Sequence, residues 1–553
     1  MALEIGVTDR RAGRHTSPPS RGWLLWVALL LLATLLRLPF PDWDGGIAAH
    51  PDERFLLGVA AATPLLANPC ATSPDFPYGH LPVYVGRWLV LTAPTADPLY
   101  AARLLSGLLG VLLVAVTGAL GRALGGRGAG LWGALAGTFA PFLIQQAHFY
   151  TVDPFGALSA SLALLLVLRR RWLGAGALAG LAVASKVSLL WIGAPLLVAA
   201  LITRRKGVAL RLSAPRLLTG AAVAFAVSSP WALLDPLNCW RGPLIQTGMA
   251  AGRFVFPYTQ QYAGTLPFLY PLAQMALWGL GPATLLGFGG VVRLLAGWRR
   301  LSPAGRVLLT WTLLYLLAVG GLYVKFPRYL LPLYPTWAAL ADFILRPCPR
   351  PVARRVTRRL ASLLGGGALL LTALCGWAQF SLYSRPHPWM EASRRIYAAL
   401  PPGATVAVES WEHPLPVPLP GDDPSAYEQL TVPLFAAGLT EQVAGLEEAR
   451  GEAELIVVAS RRGYNALSRR PYEHGEVLVW YETLLEEREV IPFGRCPHLG
   501  PLALTDDPLT DAGLPSPASL AERCGTPYAL RLPRLDESFR VYDAPAALLL
   551  KRR

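Results

Sequence analysis

Two neighbouring carboxylates, Asp52 and Glu53, stand in the run His50-Pro51-Asp52-Glu53, about a dozen residues past the end of an apolar stretch. A third, Asp153, closes the run His148-Phe149-Tyr150-Thr151-Val152-Asp153 between two further apolar stretches. An aspartate held at a membrane face can take the proton from a hydroxyl as that oxygen attacks a carbon centre. Residues adjacent on a helix do not share a face, so Asp52 and Glu53 need different partners, one as base and one as orienting group or cation ligand. The plainer reading of Asp52 is a solvated loop acid or a helix N-cap, and of Asp153-Pro154 a cap or turn. Opposite charges stand nearby in the pattern. Of four lysines, Lys186 and Lys325 lie at ends of apolar runs, and Arg328 follows Lys325. Cations there can neutralise a phosphate whose charge grows as it leaves, or else snorkel toward lipid headgroups.

The elements that must position these groups follow from composition. The 553 residues are 53% hydrophobic and 15% charged, the profile of a polytopic α-helical membrane protein. Up to Tyr383 there are 33 Lys/Arg against 11 Asp/Glu; from Ser384 onward the counts are 17 and 24. The excess of positive charge lies in clusters between apolar runs, so it orients the chain in a membrane and does not point to nucleic acid. Setting the clusters in the cytoplasm predicts a basic cytoplasmic N-terminus over 1–21, left uncleaved, and about 11 transmembrane helices over 22–383. The spans are 22–40, 99–120, 129–146, 155–168, 173–186, 188–203, 217–234, 271–293, 306–324, 329–345 and 361–383. Several are short for a ~30 Å apolar core. In this topology Asp52, Glu53, Asp153, Lys186, Asp235, Lys325 and Arg328 all fall on the outer face. They ring one surface and do not trace a path across, which favours a surface site over a transport pathway.

From 384 to 553 the pattern changes to that of an extracytoplasmic soluble α/β domain. Val406-Ala407-Val408 and Leu455–Ala459 read as buried strands, and Arg394–Leu400 and Glu441–Arg450 as helices. An oxidising exterior permits the disulfides Cys496–Cys524 and Cys70–Cys239. Two mixed polar and aromatic stretches, Asn68–Tyr84 with His80 and Arg253–Tyr262 with Tyr258 and Gln261, suit sugar faces and hydroxyls, although Tyr and Trp favour membrane interfaces in any case. His50, His80 and His148 could each join a carboxylate at a divalent cation, but no closed ligand set is visible.

Taken in order, these runs resemble the GT-C membrane glycosyltransferases, in particular bacterial relatives of the protein O-mannosyltransferases and aminoarabinose transferases. The resemblance is carried by His50-Pro51-Asp52-Glu53, by His148–Asp153 with Tyr150, by Ala184-Ser185-Lys186, by Pro257–Tyr262 and by Arg328-Tyr329-Leu330-Leu331-Pro332. Glu537-Ser538-Phe539-Arg540-Val541-Tyr542-Asp543 looks like the close of one prokaryotic branch. The resemblance implies a polyprenyl-phosphate-linked sugar donor, an unidentified acceptor (protein, lipid or glycan) and inversion at the anomeric carbon. It makes Asp52 the candidate base, with Glu53 and Asp153 shaping the site and Lys186 and Arg328 on the lipid phosphate. A transporter or flippase of lipid-linked sugars is the competing expectation. The absence of mid-membrane acids and of visible repeats argues against it.

Overall fold

The computed structural model describes residues 22–92, 97–204, 210–345, 351–436 and 438–553. The expected N-terminal segment 1–21 lies outside the described residues, as do Cys348 and parts of the basic clusters at 204–216 and 346–359. The chain is mostly helical up to Ala399 and becomes α/β beyond it. Among the described residues three helical runs are long and apolar enough to cross a membrane: Pro98–Gly125, Pro303–Gly320 and Arg359–Ala399. A fourth candidate is the pair Pro141–Ala147 and Val152–Leu168, bent by 117° at the loop that carries His148 and Tyr150. Shorter apolar helices include Gly22–Leu35, Leu81–Thr92 and Trp172–Ser185. The count of about eleven spans is therefore not confirmed: among the described residues three helices, or four with the bent pair, have the length and composition of a span.

The C-terminal region contains β1 (Thr405–Glu409), β2 (Glu428–Val432), β3 (Leu455–Val458), β4 (Glu489–Phe493), β5 (His498–Leu499), β6 (Leu502–Thr505), β7 (Tyr528–Arg531) and β8 (Ala547–Lys551). The main sheet has the order β2-β1-β3-β8-β4, with β1 parallel to both neighbours and β8 antiparallel to β3 and β4. β1, β3 and β8 are almost wholly buried, which explains their continuous apolar composition. One face of the sheet makes a core of its own with Leu446, Trp480 and Leu484. The other face shares its core with the helical part, where Trp389 and Leu549 pack with Leu36, Trp43, Ile144 and Phe149. Phe539 is buried among the apolar helices. One face of the sheet thus has a core of its own, and the other shares one with the helical part. Both expected disulfides are present: Cys70–Cys239 ties the short helix Pro69–Thr72 to the helix Pro236–Ala250, and Cys496–Cys524 ties the chain just before β5 to the end of the helix Leu520–Cys524.

A buried ionic cluster sets the helix that carries the first two acids. Arg103 donates to Glu53 Oε1 at 2.9 Å and Oε2 at 2.6 Å, and to Asp44 Oδ1 at 2.8 Å and Oδ2 at 2.7 Å. All three side chains are shielded from water. Glu53 Oε1 also accepts from the Tyr150 amide at 2.7 Å, and Asp44 Oδ2 from the Ala49 amide at 2.7 Å. One guanidinium thus registers three chain segments. Replacing Arg103 by Met would leave two buried carboxylates without their cation, and we expect a loss of about 3–5 kcal/mol. Chemical unfolding of the detergent-solubilised variant measures it; a shift below 1 kcal/mol would show that Glu53 and Asp44 find other partners.

Candidate active site

The site forms at the N-terminal ends of two helices. Pro51–Ala62 is capped by His50, whose Nδ1 accepts from the Asp52 amide at 3.1 Å, so the capping role considered for Asp52 belongs to its neighbour. Burial pushes the His50 imidazole down to about 3, which keeps it neutral and able to accept. Asp52 then projects away from Glu53 and meets Arg328 at 3.2 Å, with the two side chains 17% and 22% exposed. Asp153, in the first turn of Val152–Leu168, accepts from Lys186 Nζ at 2.6 Å, and that ammonium lies 4.9 Å from the centroid of the Tyr329 ring. Burial pushes the Asp52 carboxyl up, but Arg328, a hydrogen bond from Tyr78 and the charge of Lys186 outweigh it and hold the group below its ordinary value. Asp52 is therefore ionised in the resting protein.

Tyr78 reaches Asp52 because its loop lies directly on the end of the helix Trp172–Ser185. The Gly79 amide donates to Ser185 O at 3.2 Å, and a Cβ on Gly79 would fall 1.9 Å from Ala184 O. Only glycine permits that approach. The same contact sets Tyr78 beside the Lys186 end of the site.

The structure brings Asp52, Asp153, Lys186 and Arg328 together and sends other expected residues elsewhere. Glu53 is engaged by Arg103 and the Tyr150 amide and faces the helix bundle. Lys325 donates to Tyr323 O at 2.9 Å and lies within Coulombic reach of Asp536 in the tail, not of Asp52. Asp235 pairs with Asn68 and Asn238. Tyr150 is wholly buried and its hydroxyl donates to Pro82 O at 2.6 Å. His148 stacks on Tyr383 with ring centroids 3.7 Å apart, its two ring nitrogens on the carbonyls of Ile144 and Pro39. Gln261 exchanges hydrogen bonds with Glu537 at 3.0 and 3.1 Å, holding the tail instead of a substrate. His80 lies against the Cys70 sulfur. Cys70, His80 and Cys239 are the one group of potential metal-ligand atoms found close together among the described residues, but the disulfide consumes both thiols. None of the three histidines joins Asp52 or Asp153 in a cation site.

Tyr258 does face the site. Its hydroxyl is pushed up by burial and held back by Arg328 and Arg462. The tail contributes two residues that the sequence did not single out. The Tyr542 ring lies 4.2 Å from His50, and Arg462 Nη2 donates to the Tyr542 hydroxyl at 3.3 Å. Arg462 also binds Glu537 at 3.1 Å and lies 5.7 Å from the Tyr258 ring centroid. Tyr542 was marked only as part of the closing motif. Arg462 carries no local signal, since its place depends on the packing of the tail.

Residues 88–233, which carry Asp153 and Lys186, match the family described as dolichyl-phosphate-mannose-protein mannosyltransferase. Over that segment the chain is similar to a family of membrane glycosyltransferases, in accord with the resemblance carried by its motifs. No curated protein sequence matches the chain. Among solved structures it is similar to ArnT from Cupriavidus metallidurans bound to undecaprenyl phosphate, at 19% identity over 82% of this chain and 95% of that one, with a TM-score of 0.49. It is also similar to the Archaeoglobus fulgidus oligosaccharyltransferase, at 15% identity over 86% of this chain and 73% of that one, TM-score 0.46. The arabinofuranosyltransferase AftD from Mycobacteria is 18% identical over 80% of this chain and 37% of its own, TM-score 0.39.

The tail docks through an acid that responds to pH. Asp536 accepts from the Tyr270 hydroxyl at 2.9 Å, the Tyr262 hydroxyl at 3.3 Å and the Ser538 amide at 3.0 Å. Burial, with Glu537 beside it, pushes its carboxyl up to about 6 against the restraint of those donors. The folded protein therefore keeps a proton that the unfolded chain releases near pH 4, and the stability this gives falls as pH rises from about 4 to about 6. We expect wild type to lose about 2–3 kcal/mol of stability relative to Asp536→Asn across that window. Unfolding followed at several pH values checks it, and parallel profiles for the two proteins would rule it out.

Proposed function

We propose that the chain transfers a sugar from a polyprenyl-phosphate-linked donor to an acceptor at the outer face of a cell membrane, with inversion, and with Asp52 as general base. The reading places the N-terminus in the cytoplasm, about eleven spans over 22–383 and an extracytoplasmic region over 384–553. The observation that carries it is the partly exposed Asp52–Arg328 pair beside Lys186–Asp153. It combines an ionised acid with two cations in one site, and the family match spans part of it.

In this reading the acceptor oxygen attacks the anomeric carbon in line with the departing phosphate. The carbon–oxygen bond to the phosphate breaks, the acceptor proton passes to Asp52, and the charge left on the lipid phosphate is received by Arg328 and Lys186. Asp153 holds Lys186 in place. Glu53 and Arg103 keep the helix of Asp52 in register, a positioning task. Lys325, which donates to Tyr323 O and lies within Coulombic reach of Asp536, has no part in this reading.

Membranes containing the protein and a labelled polyprenyl-phosphate sugar test the assignment. Asp52→Asn should lower the transfer rate by about 10²–10⁴-fold while the labelled lipid still binds. Arg328→Ala should raise the donor KM as well as slow transfer. Undiminished transfer by Asp52→Asn would remove Asp52 as the base.

A further inference from the structure

The carboxyl ends of β1 and β3 run into Ser410-Trp411-Glu412 and Ala459-Ser460-Arg461-Arg462. In the order β2-β1-β3, the chain leaves β1 toward one side and returns to place β3 on the other. The crevice beyond the carboxyl ends of two such parallel strands is where open α/β sheets bind ligands. Here the crevice faces the membrane part, since Arg462 lies over Tyr258 and hydrogen-bonds Tyr542, which in turn packs on His50.

Trp411 stands in this crevice in a costly posture. Its φ of 68° is in the left-handed region, which is unfavourable for a bulky residue, and the residue is 51% exposed. Neither burial nor backbone freedom accounts for a tryptophan at that position. Its carbonyl is held by Arg462 Nη1 at 2.9 Å. Its ring lies 6.1 Å from Phe256 and 6.2 Å from Tyr258, and those two rings are parallel within 5°. The result is an aromatic shelf contributed by both halves of the chain. Next to it Glu412 accepts from the Ser460 hydroxyl at 2.7 Å.

A pyranose ring offers an apolar C–H face to stack on aromatic surface and hydroxyls for a few fixed polar groups, and the shelf supplies both. We propose that Trp411, Phe256 and Tyr258 form a carbohydrate subsite in which a sugar ring stacks on Trp411 and hydrogen-bonds Glu412, with Arg462 positioning the shelf. The inference deepens the proposed transferase reading and rests on it for its purpose. The sugar can belong to the lipid-linked donor or to a glycan acceptor, since the chemistry is shared. Burial pushes the Glu412 carboxyl up to about 7, against the pull of Arg462, so near neutrality it can either donate to or accept from a hydroxyl.

The test uses the full chain in lipid nanodiscs and saturation-transfer NMR with the methyl pyranosides of mannose, glucose, galactose and N-acetylglucosamine. At least one should receive saturation from aromatic protons of the wild type. The transfer should fall at least fivefold in Trp411→Gly and persist in Trp411→Phe. Glycine relieves the left-handed backbone, so Trp411→Gly should unfold no earlier than wild type. No saturation of any of the four sugars, or equal saturation with Trp411→Gly, overturns the subsite. Asp52→Asn should bind the sugar as wild type does; if it also transfers normally, the base assignment fails while the subsite stands. In the transfer assay Trp411→Gly should raise the KM for the labelled donor if the donor sugar occupies the shelf, or for the acceptor if a glycan does. Unchanged values for both would overturn the proposal.

Discussion

Arg103 holds Glu53 with one edge of its guanidinium and Asp44 with the other, in a place where none of the three reaches water. Such a cluster adds little net stability, because desolvating the charges offsets their attraction. What it supplies is register. Asp44 gathers the amides of Gly46 and Ala49 and so shapes the loop that delivers His50, while Glu53 gathers the amide of Tyr150 and so pins the loop that delivers Asp153. The two aspartates of the candidate site come from helices almost a hundred residues apart in sequence. A single buried cation between their supporting acids is what makes their separation fixed.

The division between Asp52 and Glu53 follows from helix geometry. Successive side chains on the first turn point about 100° apart, so when one enters the bundle the other must leave it. The inward acid meets an arginine that it shares with Asp44, out of reach of water. The outward acid meets one at 3.2 Å with solvent still present. An acid that is to accept a proton must be reachable, and of the pair only Asp52 combines charge with access.

Much of this arrangement was legible in the sequence, and the reasons for the misses are physical. Asp52, Asp153, Lys186 and Arg328 stand out because charge at the end of an apolar run is rare and expensive. Arg103 obeys the same rule at the head of the run 99–120 but passes unnoticed there, since an arginine at a helix end also reads as an ordinary flank. The strands over 406–408 and 455–459 were clear from continuous apolar runs. The burial of Gln261 and Lys325 under the tail was not, because both sit in stretches whose composition fits an open loop equally well. In the stretch Asn68–Tyr84 the residue type drew attention to His80, yet the forced approach of Gly79 to Ala184 O turns Tyr78 toward the acid. The contacts of Tyr542 and Arg462 link positions hundreds of residues from Asp52, and no periodicity reports a contact of that kind.

The resting pair of Asp52 and Arg328 has a consequence for the proposed reaction. While Arg328 neutralises Asp52, the carboxylate is held below its ordinary value and is a weak base. In the proposed reaction the donor enters as a phosphodiester with one negative charge, no more than Asp52 carries, and the phosphate gains its second charge only as the bond to the anomeric carbon breaks. As that charge grows it draws Arg328 toward the phosphate, and Asp52, losing its counter-ion inside a partly desolvated pocket, becomes more basic. Departure of the leaving group and activation of the base would then proceed together. A site built in this way requires no separate switch, because the charge that develops on the leaving phosphate is itself what frees the base.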